Sequence, residues 1–204
     1  ASWKPIRDVQ MSAFLVERSE NCKPAAEEHK MGIKSSSTTA VVLSDAKIPV
    51  GNLIGNIGDG AKIAFGVLNV GRFKLGASVT GGAKLAIHES VRYSNERYQF
   101  NKPISSFGAI KHKLAEMAIK TWVSEAITYR TVGMIDTLIG DKTDNATKLQ
   151  SIDEYAVESS INKVFCSESL DYVVDEMVQI YGGYGYSPEM IFGIQVFFNS
   201  SEPQ

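Results

Sequence analysis

Residues 61–98 read AKIAFGVLNVGRFKLGASVTGGAKLAIHESVRYSNERY, and this stretch decides the class of the fold. Ile63, Phe65, Leu68, Val70, Phe73, Leu75, Val79, Leu85, Ile87 and Val91 recur at mixed three- and four-residue spacings, the period of an amphipathic helix. Asp59, just before it, is a residue type that caps helix N-termini. A helix of about 40 residues is about 55 Å long at about 1.5 Å per residue. Gly66, Gly71, Gly76, Gly81 and Gly82 punctuate it, each at about 1 kcal/mol of helix propensity relative to Ala. So many glycines in one helix imply close packing against another backbone or a ligand. The alternative is a helix broken near Gly81-Gly82.

Reading outward, Asn101-Lys102-Pro103 forms a polar hinge, and the spacing predicts a second helix over 107–138, carried by Ile110, Leu114, Met117, Ile119 and Trp122. The cluster GDKTDN at 140–145 is a turn. A third helix is predicted over 152–181, with Val157, Ile161, Val164, Leu170, Val173 and Val178 as its core stripe. Long helices with short connections read as an up-and-down bundle. Upstream, residues 11–18 and 38–43 read as two strands, the second rich in β-branched residues. Two or three strands with open edges are too little chain to close a sheet. Residues 192–204 carry no clear assignment, and the fold class is mainly α.

The 204 residues fit one large domain or two small ones. Lys plus Arg is 21 and Asp plus Glu is 23, a net charge of -2, which argues against a nucleic-acid partner, since such partners need clustered positive charge. No apolar run reaches the roughly 18 to 20 residues that span a bilayer, and residues 1–10 show no signal-peptide core. Cys22 and Cys166 are far apart, which speaks against a disulfide framework and for a reducing, intracellular setting. His29, His88 and His112 form no HExxH spacing and neither cysteine belongs to a CxxC pair, so no metal site is expected. Cys166 falls among apolar helix positions and reads as core. Gly182-Gly183-Tyr184-Gly185 follows a helix rather than a strand, so it is no dinucleotide fingerprint; by pattern it is a helix C-terminus with left-handed glycine. Arg97 reads either as a surface arginine covering a tyrosine or as a phosphate clamp, because guanidinium grips phosphate in a bidentate fork. Spacing leaves both open.

Four segments in order resemble the acyl-CoA dehydrogenase family. Glu28-His29-Lys30-Met31-Gly32-Ile33-Lys34 with Ser36-Ser37-Thr38 is similar to its KMGI-(K/R)-x-S-x-T strand entry. Val50-Gly51-Asn52-Leu53-Ile54-Gly55, Gly58-Asp59-Gly60 and Gly71-Arg72-Phe73 resemble the start of its first C-terminal helix. Arg97-Tyr98-Gln99-Phe100-Asn101-Lys102-Pro103-Ile104 is similar to R-x-x-F-G-x-x-I, and Gln179-Ile180-Tyr181-Gly182-Gly183-Tyr184-Gly185-Tyr186 to Q-x-x-G-G-x-G-(F/Y). The very-long-chain branch is the nearest in character. The resemblance implies a C-terminal antiparallel helical bundle, residues 56–194, preceded by the end of a middle β-domain, residues 1–55, with 195–204 unassigned. It would hold three of the family's four bundle helices and none of its N-terminal helical domain.

The resemblance also implies chemistry: removal of hydrogens from Cα and Cβ of an acyl-CoA thioester in fatty-acid β-oxidation, a glutamate taking the α-proton and FAD the hydride. The implied partners are the acyl-CoA substrate, an electron-transfer flavoprotein, and further copies in a homodimer or homotetramer, in a bacterial cytoplasm or a mitochondrial matrix. By position, Arg97, Gln99, Phe100, Phe107, Gly108, Gln179, Gly182 and Gly183 would contact FAD, and Asn69 and Arg72 the acyl-CoA. No catalytic residue is matched. The first-helix position that holds the base in a minority of the family is Gly71, and the stretch after Pro188, Glu189-Met190-Ile191-Phe192-Gly193, shows no Glu-Gly-Thr motif. Glu189 follows the loop and is a poor substitute. Asn101 stands where glycine is usual. The expectation is therefore a truncated chain without its own base. The alternatives are a non-catalytic assembly module of the same fold and a sibling flavoenzyme such as an acyl-CoA oxidase.

Overall fold

A computed structural model describes residues 10–30, 33–141 and 144–187; Glu189 and the tail from 195 lie outside them. Four helices dominate: α1 (Gly60–Glu96), α2 (Gly108–Ile139), α3 (Asn145–Glu154) and α4 (Ala156–Tyr181). Among the described residues six short strands form three separate antiparallel pairs: β1 (Ala13–Phe14) with β4 (Leu53–Ile54), β2 (Cys22–Glu27) with β3 (Thr39–Leu43), and β5 (Tyr98–Gln99) with β6 (Lys102–Pro103).

The strand predicted over 11–18 shrinks to β1, while β2 has no counterpart in the sequence reading. CKPAAE lacks the β-branched alternation that marks strands. It is held instead by its partner, with Cys22 opposite Leu43 and Lys23 opposite Val42, and the register slips after Pro24, as expected where proline removes a ladder donor.

α1 passes through Gly81-Gly82 without a break. Its glycines serve different ends. A Cβ on Gly60 would lie 2.7 Å from the Met11 carbonyl carbon, and one on Gly76 2.4 Å from the Asn162 amide nitrogen. Gly66, Gly71 and Gly81 face open space, so within the punctuating series close approach explains Gly76 and not those three. Asp59 holds the cap position without capping. Its Oδ2 accepts from the Asn56 backbone N–H at 2.9 Å and from Asn56 Nδ2 at 3.0 Å, and these bonds, with Lys62 nearby, hold its carboxyl below the usual range. The Gly60 N–H is satisfied by Met11 O at 2.8 Å.

The single third helix predicted over 152–181 is two. Asp144 accepts from the Thr147 N–H at 2.7 Å and starts α3. At Tyr155 (φ -101°, ψ 31°) the chain leaves helical geometry before α4 begins. α3 is mostly polar, which is why apolar periodicity did not reveal it.

Cross-helix pairs fix the directions. Asn69–Asp153, Gly76–Asn162 and Tyr93–Tyr181 rise together, so α1 runs parallel to the α3–α4 arm. Lys84–Glu125 on one side and Lys113–Glu176 on the other make α2 antiparallel to both. The apolar core gathers Ala83, Ala86, Met117, Val173, Met177 and Ile180 toward the C-terminal ends of α1 and α4.

Candidate functional site

Two polar clusters stand 25 positions apart on α1, near Arg97 and near Arg72, about 37 Å along the axis at about 1.5 Å per residue.

At the first, Arg97 is the residue that ends α1. Its N–H bonds to Tyr93 O at 2.9 Å and its carbonyl accepts from the Ile104 N–H at 2.8 Å, so the helix end and the β5–β6 hairpin together fix its backbone. The hairpin turns through Phe100 and Asn101 at φ 53° and 63°. Positive φ at both central residues is the geometry for which Asn-Gly is favoured, and a bulky residue there is strained. Opposite, Gly182 ends α4 at φ 60° with open space around it. Gly185 is pressed to the α4 backbone, where a Cβ would meet Val178 O at 2.5 Å.

Between these walls lies an open cavity of about 600 Å³, lined by Arg97, Gln99, Tyr181, Gly182, Gly183 and Tyr184, among others. Tyr93 and Tyr181 stack at 4.1 Å between ring centroids, and the Arg97 guanidinium sits 6.0 Å over the Tyr184 ring. No carboxylate lies within ion-pair distance of Arg97 among the described residues. Burial, then the charge of Glu89, pushes the Tyr181 phenol up from its ordinary value. A cation without a counter-ion among the described residues, two aromatic rings and glycine backbone free of side chains fit an anionic ligand that carries a ring.

At the second cluster, Asn69 is nearly fully buried. Its Oδ1 accepts from Arg72 Nη1 at 2.6 Å, and its Nδ2 donates to Asp153 Oδ1 at 2.9 Å. Arg72 also lacks a carboxylate within ion-pair distance among the described residues. Beside it runs a mostly apolar groove of about 500 Å³ walled by Ile54, Ile63, Val67, Val70, Leu149 and Asp153.

Residues 58–200 match the family model described as acyl-CoA dehydrogenase, C-terminal domain. The chain belongs to the acyl-CoA dehydrogenase family. It is 45% identical over 186 residues to a probable acyl-CoA dehydrogenase of Bacillus subtilis, a match covering 88% of this chain and 31% of that protein. It is 37% identical over 193 residues to the mitochondrial very long-chain specific acyl-CoA dehydrogenase of Mus musculus, covering 91% and 27%. Among solved structures it is similar to an acyl-CoA dehydrogenase complexed with FAD from Bacillus anthracis, at 49% identity and a TM-score of 0.83, covering 87% of this chain and 32% of that one. The chain thus spans about a third of the length of these dehydrogenases.

Of the positions that the acyl-CoA dehydrogenase resemblance singles out, Arg97, Gln99, Gly182 and Gly183 line one cavity. Phe100 and Phe107 meet edge to face at 6.3 Å beside it, Lys102 lying over the Phe107 ring. Gln179 and Gly108 are exposed at helix ends and do not line the cavity. Asn69 and Arg72 meet each other but not the Arg97 cluster. Sequence reasoning missed Tyr93, Tyr181 and Asp153. Tyr93 stands four positions before Arg97, on its helix face, and Tyr181 directly precedes the glycine pair, so spacing carried a signal for both. Asp153 had none, because its position depends on the break at Tyr155.

Proposed function

We propose that this chain is the C-terminal part of an FAD-dependent acyl-CoA dehydrogenase that introduces a Cα–Cβ double bond into an acyl-CoA thioester. The bundle of residues 56–194 would be its domain, and residues 1–55 the end of the β-domain before it. The observation that carries the reading is the convergence of Arg97, Gln99, Gly182 and Gly183 on one cavity. Arg97 would grip the pyrophosphate of FAD, and Gly182 and Gly183 would let the backbone approach the cofactor. When bound, FAD would supply the hydride acceptor for the Cβ hydrogen. Asn69 and Arg72 would face the acyl-CoA, Arg72 offering its charge, which no carboxylate among the described residues pairs, to a phosphate or a carbonyl. Gly71 provides no carboxylate at the helix position beside it, so these residues bind and orient, and the α-proton goes to a group elsewhere. The proposed electron acceptor is an electron-transfer flavoprotein, and the proposed setting a bacterial cytoplasm or a mitochondrial matrix. No helix among the described residues is long and apolar enough to cross a membrane.

A homodimer or homotetramer is proposed on a separate observation. Val157, Ile161 and Val164, read from the sequence as core, are instead exposed and form an apolar stripe along α4, and Ile119, Trp122 and Tyr129 form another along α2. Faces of this kind mark association surfaces, and they also favour the second reading, an assembly module without catalysis.

Titrating the 204-residue chain with FAD separates the two. Arg97→Ala is expected to weaken FAD binding about 10- to 100-fold, the scale of losing a hydrogen bond to a charged group. Equal affinity in wild type and variant would remove Arg97 from the site and leave the assembly reading.

A further inference from the structure

The geometry points to Asp153 as a positioning residue, and we propose that it fixes the Arg72 guanidinium through the side chain of Asn69. Its bearing on acyl-CoA binding rests on the function proposed above.

Asn69 sits between a carboxylate and a guanidinium and uses one end of its amide for each. Its Nδ2 donates to Asp153 Oδ1 at 2.9 Å and its Oδ1 accepts from Arg72 Nη1 at 2.6 Å. The amide is nearly fully buried, so these are the bonds that hold its orientation. A buried amide anchored at one end only can turn about its last torsion, where rotamer wells are broad. Anchored at both ends, it presents a fixed acceptor to Arg72. Asp153 thereby orients a cation it does not touch. A carboxylate bonded directly to Arg72 would neutralise the charge, whereas the neutral amide holds the guanidinium and leaves its charge for an anionic ligand.

The fold gives Asp153 this place through the split at Tyr155. Asp153 lies in the last turn of α3, and Tyr155 turns the chain out of helical geometry before α4 starts. α3 packs against α1 here, and Leu149 and Asp153 wall the apolar groove with Val67 and Val70. One short helix thus contributes both an apolar wall and the anchor of the neighbouring arginine.

Two readouts on the 204-residue chain test this. The first is the ¹⁵N side-chain NMR of Arg72. A guanidinium held at Nη1 rotates slowly about its Cζ–Nη bonds. Asp153→Ala is expected to speed that rotation, and Asp153→Asn, whose Oδ1 can still accept from Asn69, to keep it slow. Unchanged rotation in Asp153→Ala overturns the proposal. Asp153→Ser, too short to reach Asn69, reads the same should the alanine variant not fold. The second is calorimetric titration with S-hexadecyl coenzyme A, a thioether that cannot react. Arg72→Ala and Asp153→Ala are each expected to weaken binding about tenfold, with Asp153→Asn within about threefold of wild type. If Arg72→Ala binds as wild type does, or wild type does not bind, the acyl-CoA reading of Arg72 falls and the NMR result alone decides the role of Asp153. If Arg72→Ala weakens binding and Asp153→Ala does not, that reading stands and the positioning role is overturned.

Discussion

The bundle holds two interiors of opposite character. Around Met117 the buried side chains are apolar: Ala83, Ala86, Val173, Met177 and Ile180. Toward Asn162 they are small and mostly hydroxyl-bearing: Thr80, Thr121, Ser124, Thr128 and Ser159, with the Cys166 thiol among them. Most hydroxyls in the second region spend their donor on the helix that carries them. Thr80 bonds to Gly76 O at 2.8 Å, Ser124 to Lys120 O at 2.8 Å and Thr128 to Ser124 O at 2.8 Å. Such residues fill little volume and let helices approach, but they bury little apolar surface. The first interior therefore carries stability, and the second carries close fit. Two substitutions one turn apart sharpen the contrast. Met117→Ala, at a fully buried side chain, is expected to cost about 2–5 kcal/mol. Thr121→Val, nearly isosteric, removes a buried hydroxyl that has no partner among the described residues and is expected to be neutral or to stabilise by up to about 1 kcal/mol. Urea unfolding midpoints read both; equal losses would erase the distinction.

The next test breaks the polar interior at its tightest point. A Cβ on Gly76 would lie 2.4–2.8 Å from three atoms of the Asn162 amide. Asn162 cannot simply swing aside, because its Oδ1 accepts from Cys166 Sγ at 3.0 Å and already lies 2.9 Å from Thr128 Oγ1. Gly76→Ala gains about 1 kcal/mol of helix propensity and meets an overpacking cost of about 1–3 kcal/mol, so a net loss of about 1 kcal/mol is expected. In an Asn162→Ala background the clash is gone and the same change is expected to stabilise. A coupling near zero in that double-mutant cycle would show that the contact carries nothing.

The same division explains what could be read in advance. Helices α1 and α2 are legible because their apolar residues recur at helical spacing, and the helix ends at Arg97 and Gly182 because glycine and proline mark them, whereas only the family resemblance joins those ends in one site. The polar region is not legible. α3 lacks an apolar stripe, so the pattern reads as one helix where two exist, and the pattern gives no sign of the boundary that places Asp153. Gly76 looked like Gly66, Gly71 and Gly81 in the sequence, and only the facing Asn162 sets it apart. Residues that bind through three-dimensional neighbours leave no periodic trace, whereas residues that end elements do.

The smallest expected effect lies where the apolar interior meets the cavity. Tyr181 is buried against Tyr93, and among the described residues its hydroxyl makes one long bond, 3.4 Å, to Glu89 O. Burial and the Glu89 charge favour the neutral phenol, so its ionisation in the folded chain lies above the ordinary value. Unfolded tyrosine ionises near about pH 10. Above that pH the unfolded chain sheds a proton that the folded chain keeps, so stability falls as pH rises. The contribution is fully present below about pH 10 and is lost as pH climbs through the folded value. Tyr181→Phe keeps the stacked ring, and the bond from the Tyr93 hydroxyl goes to the Tyr181 backbone carbonyl and survives. At neutral pH the variant is expected to lose about 0.5 kcal/mol, the low end for a neutral hydrogen bond. Its alkaline limb should be shallower than that of wild type, yet not flat, because burial also raises Tyr172. Parallel alkaline limbs in wild type and variant would mean that the phenol is hydrated, and that the cavity side of the apolar interior is wet.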